Sequence, residues 1–212
     1  MIDLRAYSHI DQLQPQTTAM IGTGSRGFMP QERQACLIVE VAPGMSINIV
    51  TDVVLKRTSV IPGAQIVERA FGSVEFHDDD QGMIYAAGDA ILEYYGITMD
   101  QRLAPKLLSE QIITGLENYH SMLISRNRYG NMPVKGDTLY VMEVHPAGYA
   151  AYACNEAEKA ARIQIVDLQY FGAFGRVWLC GAEEEIHQAS AAIKKALDGV
   201  TGRANKGDSS VY

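Results

Sequence analysis

The sequence predicts an α+β protein built as two tandem copies of one unit of about 100 residues. Three observations carry that reading. The chain matches itself at an offset of 103 residues without gaps. Each copy mixes short strand-like runs with segments of helical apolar spacing. The same turn residues recur at the same places in both copies.

The repeat is clearest in one stretch. Gln65 to Val74 reads as strand, tight loop, strand, and it returns as Leu168 to Val177 with Ala-Phe-Gly-x-Val kept. At the same offset Ile10, Leu13 and Ile21 meet Ile113, Leu116 and Ile124. Gly27-x-Met29-Pro30 meets Gly130-x-Met132-Pro133, and Glu40-Val41-x-Pro43 meets Glu143-Val144-x-Pro146. Lys56 meets Lys159. Two units of this size are two small domains, not a solenoid of many short repeats. The division falls near Leu103-Ala104-Pro105, giving domains 1–103 and 104–212. The copies part company just before the shared motif, with Glu68-Arg69 in one and Phe171-Gly172 in the other. A common frame with different chemistry at one spot marks that spot for function.

The elements follow in order. Leu4 to Ile10 reads as a strand and Gln14 to Ile21 as a short helix or irregular segment. Leu37 to Val41 is a strand closed by Pro43-Gly44, a strong turn signal. Ile47, Val50, Val53 and Val54 recur at helical spacing. Gln65 to Arg69 and Ser73 to His77 form a hairpin. Asp78-Asp79-Asp80 supplies a helix N-terminus, where carboxylates suit the dipole. Met83, Ala87, Ala90, Ile91 and Tyr94 make its apolar face, and Gly96 caps it. In the second copy Leu139 to Val144 is a strand and Tyr149 to Ala161 an alanine-rich helix. Ile163 to Leu168 and Arg176 to Cys180 are hairpin strands. Glu183-Glu184-Glu185 opens a helix carrying Ile186, Ala189, Ile193 and Leu197, capped by Gly199. The polar tail from Gly202 is expected to be loose.

Composition excludes several classes. Net charge is -7 without a basic block, which argues against nucleic-acid binding. No apolar run reaches the roughly 18 residues of a membrane span, and the N-terminus lacks a signal-peptide core. Cys36, Cys154 and Cys180 are widely spaced, with no Cys-x-x-Cys, and read as small buried residues of a reducing compartment. Gly22 to Gly27 fits the spacing of the dinucleotide fingerprint, but no helical pattern follows it and Pro30 comes quickly, so a glycine-rich turn is expected. His77 to Asp80 suggests a cation site only superficially, because its partner stretch from Cys180 keeps no full ligand set. Arg126-Asn127-Arg128 reads as plain surface or an edge contact. No Ser or Cys stands beside a matching base, so neither catalysis nor a metal or cofactor is expected.

Taken together, these motifs resemble the bacterial microcompartment shell proteins, in their tandem-domain, circularly permuted type. The likeness rests on Leu13-Gln14-Pro15-Gln16, Gly27-Phe28-Met29-Pro30, Pro43-Gly44-Met45, Val67 to Gly72, Pro146 to Tyr149, Asn155 to Ala160 and Gly172 to Arg176, in that order and spacing. The resemblance implies two ferredoxin-like shell domains per chain. It implies a homotrimer closing as a pseudohexamer, which in this subtype often stacks with a second ring, among hexameric and pentameric shell proteins. The ring would tile a facet of a shell in the cytoplasm. The hairpin loops would line a central pore, with Glu68 and Arg69 as the gating pair and Phe171 and Gly172 at the matching place. Lys56 and Lys159 would be edge contacts to neighbouring rings.

Elementary electrostatics agrees with that arrangement. Three Arg69 side chains roughly 6 Å apart repel by about 3 kcal/mol per pair at an effective dielectric near 20. A neighbouring Glu68 would offset this. Adjacent strand residues point to opposite faces, so a small loop rotation exchanges which one meets the hole. An open pore ringed by Arg69 would favour anions. The reading from another class is a small-molecule-binding or sensory module with its ligand site between the two repeats. An oxidoreductase using the glycine-rich turn is the weakest reading.

Overall fold

The structure is a computed structural model that describes residues 2–25 and 27–207. Its first half contains β1 (Asp3–Ile10), α1 (Pro15–Gly24), β2 (Ala35–Ala42), α2 (Ile47–Arg57), β3 (Ile61–Glu68), β4 (Phe71–Asp78) and α3 (Gln81–Tyr95). The second half contains β5 (Lys106–Ile113), α4 (Asn118–Asn127), β6 (Thr138–His145), α5 (Tyr149–Ala160), β7 (Gln164–Gln169), β8 (Gly175–Gly181) and α6 (Glu183–Asp198). The strands make two antiparallel sheets of four, ordered β1-β2-β4-β3 and β5-β6-β8-β7. Even the irregularities repeat. Bulges lie between Leu4 and Ala6 and between Leu107 and Ser109, and again between Pro62 and Ala64 and between Ile165 and Asp167.

The strand β5 and the helix α4 had no sequence prediction. The burial of β5 explains why: its residues are only partly covered, so the apolar alternation is weak. The opposite holds for β2, every residue of which is buried. Leu37, Val39 and Val41 face the core shared with Ile47, Val50 and Val54 of α2 and Ile84, Ala87 and Ile91 of α3. Cys36 and Ile38 face the other way, into a core formed with the second half. A strand covered on both faces reads as a continuous apolar run.

That second core sets the architecture. Ala6, Ile10, Cys36 and Ile38 of the first sheet share one core with Ala150, Ala153, Cys154 and Ala157 of α5 and with Tyr140, Met142 and Val144 of the second sheet. The alanines of α5 allow this helix to lie between the two halves. Polar contacts lock the same junction. Asn155 accepts the Gln14 N–H at 2.9 Å and donates to the Gln12 carbonyl at 3.1 Å. The Glu158 carboxylate accepts the N–H groups of Gln16 and Thr17 at 2.8 Å, an anion at the N-terminus of α1.

Two local expectations need correction. Tyr94 is 51% exposed, and Ile84 takes its place on the buried face of α3. One residue of helical phase accounts for the difference. The tail is not loose over its described part. Arg203 bridges to Leu103 and donates to Asp3, and the Asn205 amide donates to the carbonyls of Ala104 and His145 at 2.7 and 2.8 Å. Its polar residues satisfy buried carbonyls, which composition alone does not reveal; residues 208–212 lie outside the described residues. Asp80 caps α3 as expected, accepting the Gly82 N–H at 2.7 Å, and Gly96 ends it in the left-handed conformation at φ 62°.

Candidate pore loops and their supports

The hairpin of β3 and β4 closes with Glu68 opposite Phe71, leaving Arg69 and Ala70 as a two-residue turn. Arg69 has φ 54°, the left-handed region that a side chain of L configuration adopts only at a cost of about 1–2 kcal/mol. It is exposed, whereas Glu68 is half-buried. The longer loop between β7 and β8 holds Phe171 half-buried, with its ring edge-on to Tyr170 at 5.5 Å, and Gly172 at φ 97°.

These two loops lie side by side. A Cβ placed on Gly172 would sit 3.0, 3.1 and 3.2 Å from the Oε2, Cδ and Oε1 atoms of Glu68. The missing side chain of Gly172 is therefore the space in which the Glu68 carboxylate rests. The four pore candidates chosen from sequence, Glu68, Arg69, Phe171 and Gly172, belong to this pair of loops.

The shared Ala-Phe-Gly-x-Val motif has a packing cause. A Cβ on Gly72 would lie 2.1 Å from the Gly44 carbonyl oxygen, and one on Gly175 would lie 2.5 Å from the Ala147 carbonyl oxygen. Gly44 and Ala147 belong to equivalent Pro-containing turns, each entered by a cis X-Pro bond, Ala42-Pro43 and His145-Pro146. Each motif glycine lets such a turn press against the base of a loop.

Beneath both loops lies a buried polar cluster. Arg5 donates Nε–H to Glu40 at 2.7 Å, and its Nη2 approaches His145 Nε2 at 2.9 Å. Glu40 also accepts the Gly148 N–H at 2.8 Å. Burial pushes the Glu40 carboxyl up, with Arg5 and the backbone N–H groups pulling the other way. The Arg5 guanidinium stacks 3.5 Å from the centroid of the Phe71 ring. His145 lies 6.1 Å, centroid to centroid, from Phe174. Sequence reading gives Arg5 no role and takes His145, beside Pro146, as isolated. The available signal was Glu40 itself, a carboxylate in the middle of an apolar strand and kept at Glu143.

Lys159 is held within its own chain, by Asp11 at 2.5 Å and Glu156 at 2.9 Å. Lys56 pairs with Asp52 at 2.7 Å and is largely exposed. The glycine-rich turn expected from Gly22 to Gly27 is instead helical as far as Gly24, the end of α1, so no strand precedes it; Arg26 lies outside the described residues. Arg126 sits in the last turn of α4, and Arg128 donates to the Ser125 carbonyl at 2.8 Å. Among the described residues no group of His, Cys, Asp and Glu is arranged to hold a metal, and no helix is long and apolar enough to cross a membrane. The three cysteines are free and buried, and burial pushes the Cys180 thiol up to about 12.

One face is left open. The second sheet presents Ser109, Gln111, Val141, Glu143, Arg176 and Trp178 around a groove of about 370 Å³. Its counterpart on the first sheet is the face that α5 covers. The helix α2, counterpart of α5, exposes Ile49 at 48% and Leu55 at 42%, with Met45 just before it at 70%. One chain thus carries an uncovered socket and an unused plug.

Known proteins agree with this geometry. Residues 4–101 match the family model of the CsoS1D N-terminal domain. The chain is 44% identical over 209 residues to the carboxysome shell protein CcmP of Synechococcus elongatus, covering 99% of this chain and 98% of that one. It is 42% identical over 205 residues to the carboxysome shell protein CsoS1D of Hydrogenovibrio crunogenus, covering 96% and 100%. Among solved structures, the fused permuted hexameric shell protein MSM0275 of the RMM microcompartment matches at a TM-score of 0.92 and 45% identity over 95% of this chain and 99% of that one. The double-ringed trimeric shell protein MSM0271 of the same compartment matches at 0.93 and 36% identity over 97% and 100%. With two sheets related by its own repeat and near full-length kinship to these proteins, the chain belongs to the family of tandem-domain microcompartment shell proteins, structural components of a protein shell.

Proposed function

We propose that three copies of this chain close into a pseudohexameric facet ring whose centre is a gated pore for metabolites, without catalysis of its own. The division into units 1–103 and 104–212 defines the six modules of that ring. The observation that carries this reading is the socket and plug. Within one chain α5 fills the face of the first sheet, and the repeat operation carries α2 of a neighbouring copy onto the open face of the second sheet. Such a head-to-tail contact closes when the rotation returns to its start, here after three chains. The same operation that places Glu68 against Gly172 places Phe171 against Arg69 of the next copy.

Gly172 is then flanked by Glu68 on one side and by the next copy's Arg69 on the other. With no side chain on Gly172, only its backbone separates the two charges, and the Arg69 repulsion is offset. Rotation of the Arg69-Ala70 turn would break that meeting and turn Arg69 into the hole, favouring anions. Lys56, paired only with Asp52 on its own helix and more exposed than its counterpart Lys159, is the lysine better placed for contact with a neighbouring ring. Stacking of two rings fits the double-ringed relative. The test is anion flux through assembled shells with Arg69→Ala. Flux and charge preference should both change, and identical values in the two proteins would remove the gate.

A second reading has one observation of its own. A cavity of about 460 Å³ lies between the repeats, lined by Met20, Thr23 and Gly24 from the first and by Tyr129 and Asp167 to Phe171 from the second. It would suit a small ligand touching the second loop. A saturable ligand bound by a chain that remains monomeric at high concentration would favour this reading over the ring.

A further inference from the structure

We propose that Arg5 is the positioning residue of the pore, a buried cation that holds the two loops of one chain in fixed relation. The proposal rests on the reading that these loops line the pore, and it concerns what holds them. Arg5 stands on β1, on neither loop. Its guanidinium makes three kinds of contact in three directions. One face stacks 3.5 Å from the Phe71 ring, which is the first residue after the Arg69-Ala70 turn. Its Nη2 meets His145 at 2.9 Å, and the His145 ring neighbours Phe174, the counterpart of Phe71 in the second loop. Its Nε–H binds Glu40, which accepts the Gly148 N–H at the start of α5. One cation therefore touches the foot of the first loop and, through a single residue each way, the foot of the second and the helix that joins the halves.

Neutralising Glu40 does not require this arrangement, and the second repeat shows why. Leu108 stands at the position of Arg5, and Glu143 takes its cation from Arg176 at 2.8 Å. Arg176 lies directly across the strand pair from Glu143, as Ser73 lies across from Glu40. Arg176 supplies that cation from the neighbouring strand, with no arginine at the position of Arg5, on a face that the chain itself leaves open. The sequence uses the simpler solution in one repeat and the three-way contact in the other, the one whose loop carries the charges.

The test transplants the second repeat's solution into the first. The readout is the rate at which a charged thiol reagent modifies single cysteines placed at the loop tips, Ala70→Cys or Ala173→Cys, in the assembled protein. Cys36, Cys154 and Cys180 are fully buried, so they give little background. In Arg5→Leu with Ser73→Arg, the larger side chain enters a buried position, so the melting temperature should fall somewhat, and in the assembled protein both tips should react about tenfold faster as local opening becomes easier. Phe71→Leu, which keeps every polar contact of Arg5, should speed the Ala70→Cys tip alone. Native rates at both tips in the Arg5→Leu, Ser73→Arg protein would overturn the proposal, as would an effect confined to the first tip. If that protein fails to assemble, Phe71→Leu decides, and an unchanged rate at position 70 overturns it. Failure of the flux test on Arg69 would leave these rates unaffected, so the two ideas fail separately.

Discussion

Arg176 donates its Nε–H to Glu143 at 2.8 Å on the uncovered face of the second sheet, both side chains still partly exposed to solvent. The matching carboxylate, Glu40, is fully buried and accepts an N–H from the helix that covers it. If the ring closes by the repeat operation, Glu143 should accept the N–H of Met45 from the next copy, as Glu40 accepts that of Gly148. Val141 should meet that copy's α2 as Ile38 meets α5. Val141→Lys would bury an unpaired ammonium there, and Glu143→Ala would leave Arg176 without a partner. Sedimentation should show the first as monomer. The second should weaken association by about 1–3 kcal/mol per contact. A full-strength ring from Val141→Lys would contradict the docking.

Removing Arg5 alone should be severe. Arg5→Leu leaves the buried Glu40 carboxylate without its cation, at a cost of about 3–5 kcal/mol, whereas Arg5→Leu with Glu40→Leu removes both charges and should lie close to native. The sign with pH is definite. Burial already holds the Glu40 carboxyl above its ordinary value, so the folded protein takes up its proton before the unfolded one. Stability lost at neutral pH in Arg5→Leu should be partly recovered as pH falls through that raised value. Chemical denaturation at two pH values measures it.

At the turn, Arg69 holds a left-handed backbone. Arg69→Gly should be neutral or stabilising by up to about 1 kcal/mol, because glycine adopts that conformation freely. The same variant should lose the anion preference of the pore. A melting curve paired with a flux assay separates the backbone effect from the charge effect.

His9 offers a pH test away from the pore. It packs between Tyr7 and Tyr85, and burial, aided by Arg102, lowers its pKa to about 4. Between pH 6.5 and 4 the unfolded chain binds a proton that the folded chain does not, so stability falls with acidification by roughly 2–3 kcal/mol. His9→Gln should flatten this part of the profile. An unchanged slope would show that the ring is solvated.

Much of this protein could be read along the chain. The 103-residue repeat, the paired hairpins, the helices around Val50 and Ile193, the Asp80 cap and the location of Glu68 and Arg69 are all local patterns. They depend on side-chain periodicity and turn chemistry within a few residues, which sequence displays directly. The pairing of sheets is different. Only the folded chain shows that α5 serves the first sheet as well as its own, that Glu68 rests on Gly172, that Arg5 reaches Phe71 and His145, and that Asn205 straps the tail to the junction. Arg5 and His145 lie 140 residues apart. Nothing in their neighbours' spacing encodes that meeting, because it is set by how two separately formed sheets pack across a shared helix.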